Sequence, residues 1–104
     1  MNVYVRELVS ALAQAGVVCR VYVRRWADDL PERVSVEPGF DVVHVPAGPT
    51  DLAKEDLPHH VEEYADRVAA DFVDFRPDVI HANYWLSGVA GRLLKQRCHL
   101  PLLT

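Results

Sequence analysis

Apolar residues recur along this chain with two different periods, and the switches between them predict its elements. Over residues 2–15, Val5, Leu8, Val9, Leu12 and Ala15 fall on one helical face, with Arg6, Glu7, Ser10 and Gln14 opposite. Gly16 is placed to stop that helix. Residues 17–24 then alternate as a strand, with Val17, Cys19, Val21 and Val23 on one face and Val18, Arg20, Tyr22 and Arg24 on the other. Residues 25–40, with Pro31, Pro38 and Gly39, read as a polar loop, and residues 41–45 as a second strand ending at the turn signal Pro-Ala-Gly-Pro. A long helix is expected over residues 57–75, with Val61, Tyr64, Ala65, Val68, Phe72 and Phe75 as its stripe, Asp56 as cap and Pro58 in the first turn. Pro77 leads into a short strand at 79–82, a helix follows over 86–97, and residues 101–104 open a further strand.

The predicted order is α-β-β-α-β-α-β. Such alternation points to an α/β protein with a mostly parallel sheet flanked by helices. The pattern starts inside a helix and stops at the beginning of a strand. The expectation is therefore a partial sheet that lacks its first strand, in a chain that is a piece of a larger protein. An open apolar edge would favour poor folding or dimerisation through that edge.

Composition narrows the function. The 104 residues carry 15 acids and 11 bases, a formal net charge of −4, which argues against a nucleic-acid partner. Residues 51–78 hold nine of the acids and only three bases, as a solvated helix face would. Cys19 and Cys98 lie far apart and form no disulfide framework, so a reducing cytoplasm is the expected compartment. No apolar run is long enough to span a bilayer, and no leader pattern opens the chain. Five histidines are present, but neither a His-x₃-His nor a Cys-x₂-Cys spacing, so no metal site is expected. His44 and His81 fall in strands and read as core or rim histidines. Gly-x-Gly-x-x-Gly, the P-loop pattern and the Gly-x-Ser-x-Gly elbow are also missing from the sequence, which leaves dinucleotide, NTPase and serine-hydrolase readings without support.

The densest chemistry lies at residues 77–94. There a strand runs into His81, Asn83, Tyr84, Trp85 and Ser87 and then into a helix. In open α/β sheets, ligands bind beyond the carboxyl ends of strands, beside the helix N-termini that follow. The same aromatics would serve equally as a plug over a core.

Three stretches carry a resemblance: Met-Asn-Val-Tyr-Val-Arg-Glu-Leu (1–8) with Val-Tyr-Val-Arg-Arg (21–25); Pro-Ala-Gly-Pro (46–49) with Lys54-Glu55-Asp56-Leu57-Pro58; and Pro-Asp-Val-Ile-His-Ala-Asn-Tyr-Trp-Leu-Ser-Gly (77–88). Together they resemble retaining GT-B glycosyltransferases of family 4. Within that family the chain looks most like the inositol-phosphate enzymes, then the sucrose-synthase-like and sucrose-phosphate-synthase-like ones. The resemblance implies two Rossmann-like domains facing across a cleft, the N-terminal one for the acceptor and the C-terminal one for the nucleotide-sugar donor. Residues 1–104 would be an incomplete N-terminal, acceptor-binding domain, with the donor domain absent and no catalytic residue or cofactor of its own. The activity implied is retaining transfer of a sugar from a nucleotide sugar to an acceptor hydroxyl, the acceptor a phosphorylated polyol or sugar. The isolated chain is expected to be inactive.

Carried over residue by residue, the resemblance assigns Lys54, Tyr84 and Thr104 to the acceptor phosphate. Asn2 falls at the first helix N-terminus, near the acceptor ring and the donor diphosphate. The chain reads His81-Ala82-Asn83-Tyr84 where many relatives read His-Ser-His-Tyr, which leaves the acceptor open. On the residues alone, Lys54 is equally a loop lysine, Thr104 an ordinary strand residue and Asn2 a helix cap. The competing class is a free-standing α/β binding or interaction module without catalysis.

Overall fold

The computed structural model describes residues 3–50, 54–82 and 85–103, with backbone alone at 54–55 and 85–88. They form two compact units, Met1–Val45 and Pro46–Thr104.

In the first unit, α1 (Val3–Gln14) is followed by β1 (Cys19–Arg24), β2 (Arg33–Glu37) and β3 (Phe40–Val45). The helix stops as its glycine predicts. Gly16 takes φ +94°, its N–H donates to the Ala13 carbonyl at 3.1 Å, and Val17 N–H donates to Leu12 at 3.0 Å. This double bond back into the last turn is a Schellman stop. It uses Val17 in ending the helix, so β1 starts at Cys19 and not at residue 17. Val18 is left 70 % exposed.

The three strands lie in the order β1-β3-β2, with β1 parallel to β3 and β2 antiparallel to it. Being central, β3 is covered on both faces: Phe40, Val42, Val43 and Val45 are buried. Arg20 and Asp41 are register partners across β1 and β3, and their charged ends come within 4.0 Å. Expecting only a loop over 25–40 was wrong. Residues 33–37 form β2, which turns back on β3 through Pro38-Gly39, Gly39 taking φ +83°, with a bulge between Ser35 and Glu37. Helix α1 is tied to this hairpin: the Ser10 hydroxyl donates to the Glu37 carboxylate, with oxygens at 2.9 and 3.1 Å. His44 Nδ1 lies 2.7 Å from the Pro31 carbonyl and donates to it, as a satisfied histidine should. Burial raises the Cys19 thiol above its usual pKa, and its sulfur lies 3.6 Å from the Val17 carbonyl.

The second unit holds a 3₁₀ helix (Lys54–His60), α2 (Val61–Asp71), β4 (Ile80–His81), α3 (Trp85–Cys98) and β5 (Leu102–Leu103). The single helix expected over 57–75 is corrected at both ends. Pro58 lies within the 3₁₀ turns, and the α-helix begins only after His60, so Asp56 does not cap it. Proline supplies no N–H and its ring clashes with an α-helical turn before it, so the tighter 3₁₀ lead-in accommodates it. The α-helix ends at Asp71, with Phe72 as C-cap and turns beyond it. The predicted stripe holds at its centre, where Ala65 and Val68 are buried. On α3, Ala90 and Leu94 are buried four residues apart on one face, and α2 packs against α3 with Asp66 paired to Arg97.

Strands β4 and β5 pair in parallel, with Ile80 opposite Leu102 and His81 opposite Leu103. Ile80 N–H donates to Pro101 at 2.9 Å and Ala82 N–H to Leu103 at 2.8 Å. The predicted α/β class therefore holds, with two parallel strand pairs and one antiparallel strand among the described residues.

Candidate functional site

The site begins with the way β4 and β5 end. Because they are parallel and in register, both chains leave the pair at the same edge, after Ala82 and after Leu103. Helix α3 starts three residues beyond Ala82, which puts a strand-to-helix crossing at that edge. His81 is exposed and so is a rim residue, whereas Ala82 is buried. Gly91 sets the closeness of α3 to the pair. A Cβ there would lie 2.9 Å from Leu102 Cδ1 and 3.2 Å from Ala82 Cβ. Only a residue without a side chain lets the helix approach so near.

A second construction holds the Pro46–Pro49 turn. Ala47 is 1 % exposed, and Gly48 takes φ +70°. Gly48 N–H donates to Glu63 Oε1 at 2.9 Å, and that same oxygen lies 4.0 Å from Arg67 Nε one turn along α2. A Cβ on Gly48 would lie 2.9 Å from His60 Cγ, so the loop backbone lies directly against the imidazole. The turn and the start of α2 thus bracket the 3₁₀ helix that Lys54 opens. Farther along α2, burial holds the Tyr64 phenol well above its ordinary pKa.

Of the acceptor residues expected from sequence, Lys54 is placed by backbone at the first position of the 3₁₀ helix, and its side chain lies outside the described residues. Asn2, Tyr84 and Thr104 also lie outside them: Asn2 just before α1, Tyr84 just before α3, and Thr104 just after β5. In sequence, Tyr84 and Thr104 thus follow the two strands that end at one edge. The roles of Gly48, His60, Glu63 and Gly91 were not anticipated. The Glu63-Arg67 spacing was the one available signal, since four residues apart on a helix they are neighbours. Among the described residues, no group of three or more His, Cys, Asp or Glu is arranged to hold a metal ion. Likewise, no helix there is long and apolar enough to cross a membrane.

Parallel strands followed by a packed helix define an α/β protein of the Rossmann-like kind. More specifically, the chain belongs to the glycosyl transferase 4-like domain family, whose pattern matches residues 1–104. It is 42 % identical over 107 aligned residues to the D-inositol 3-phosphate glycosyltransferase of Thermobispora bispora, covering 99 % of this chain and 25 % of that protein. It is 40 % identical to the enzyme of the same name from Geodermatophilus obscurus, with 99 % and 24 % covered. Among solved structures it resembles sucrose-phosphate synthase from Thermosynechococcus elongatus, with a TM-score of 0.91 and 29 % identity over 97 % of this chain and 26 % of that one. The chain thus spans about a quarter of the length of these relatives.

Proposed function

We propose that this chain supplies acceptor-binding elements of a retaining glycosyltransferase that moves a sugar from a nucleotide sugar to a hydroxyl of a phosphorylated polyol or sugar. One observation carries the reading: the chain matches D-inositol 3-phosphate glycosyltransferases over 99 % of its length and sucrose-phosphate synthase over 97 %, and both names contain a phosphorylated polyhydroxyl compound. Lys54, Tyr84 and Thr104 are the phosphate-binding candidates. An ammonium is a compact charge suited to phosphate, and the two hydroxyls are hydrogen-bond donors. Asn2 is assigned to the acceptor ring. The donor site belongs to a further domain in this reading, so residues 1–104 alone bind acceptor and transfer nothing. The sugar-transfer step would then depend on positioning the acceptor hydroxyl against a donor held elsewhere. The free thiols of Cys19 and Cys98 suit a cytoplasmic location.

The test is calorimetric titration of the chain with D-myo-inositol 3-phosphate and with unphosphorylated myo-inositol. The phosphorylated compound is expected to bind and the other not, and Lys54→Ala to weaken binding by about tenfold, the effect of one charge-assisted contact. Equal binding of both compounds, or an unchanged Lys54→Ala affinity, overturns the assignment. A free-standing interaction module would bind neither.

A further inference from the structure

We draw no further inference here: the strongest candidate, the exposed indole of Trp26 at the end of β1, on a turn that the Arg25 guanidinium braces through the Ala27 and Asp28 carbonyls, is an exposed apolar patch, and nothing in the structure shows what covers it.

Discussion

Replacing Gly91 by leucine probes the packing that brings α3 onto the β4–β5 pair. The added Cβ would sit 2.9 Å from Leu102 Cδ1 and 3.2 Å from Ala82 Cβ. The leucine methyl can swing away, but the Ala82 Cβ is fixed to the backbone of the strand exit. Gly91→Ala sets the baseline: about 1 kcal/mol of helix propensity gained offsets a similar cost of crowding. Leucine adds branched carbons beyond a Cβ that already meets Leu102 and Ala82. Overpacking of roughly 2–3 kcal/mol, less about 0.8 kcal/mol of propensity, leaves a net loss of ~1–2 kcal/mol. For a domain of this size that lowers Tm by roughly 5–15 °C. Thermal melting followed by circular dichroism gives the magnitude. Hydrogen exchange at the Ile80 and Ala82 amides, which bond to Pro101 and Leu103, gives the location. A Gly91→Leu chain that melts within about 2 °C of wild type with the Ala82 amide still protected would refute the packing argument.

Two further outcomes follow from the first unit. Phe40→Ala removes a fully buried ring from the central strand and should cost ~3–5 kcal/mol, with protection lost at the Cys19 and His44 amides; a loss under about 1 kcal/mol would mean the core lies elsewhere. Burial raises the Cys19 thiol above its usual 9.0, so the folded chain keeps a proton that the unfolded chain releases. Its contribution to stability is fully present below 9.0 and is lost as pH rises through the folded value. Cys19 should accordingly react with iodoacetamide more slowly than free cysteine at about pH 8, and urea should abolish the difference; equal rates in the folded chain would contradict the burial.

Much of the fold was legible because periodic apolar positions coincide with elements that need little else. Helix α1, the end of β1 and the central strand β3 follow directly from their spacing. Strand β2 does alternate, with Val34 and Val36 between Arg33, Ser35 and Glu37, but the run is short and set between Pro31 and Pro38, and it forms by pairing with β3 across the Gly39 turn. The start of α2 was misplaced because Asp56 and Pro58 satisfy the rules for an α-helix start, which a 3₁₀ lead-in also satisfies. The motif at 77–88 pointed correctly to a strand exit followed by a helix, since β4 and α3 lie there. The clip of Gly48, His60 and Glu63 depends on contacts across a loop, which no periodicity encodes.

The central claim is that these residues serve an acceptor and not a nucleotide-sugar donor. It is tested most directly by recording amide shifts of the labelled chain during separate titrations with D-myo-inositol 3-phosphate and with a uridine diphosphate sugar. The account predicts that the inositol phosphate shifts amides around Lys54 and the exits of β4 and β5, while the nucleotide sugar shifts none. Shifts produced by the nucleotide sugar alone would contradict it.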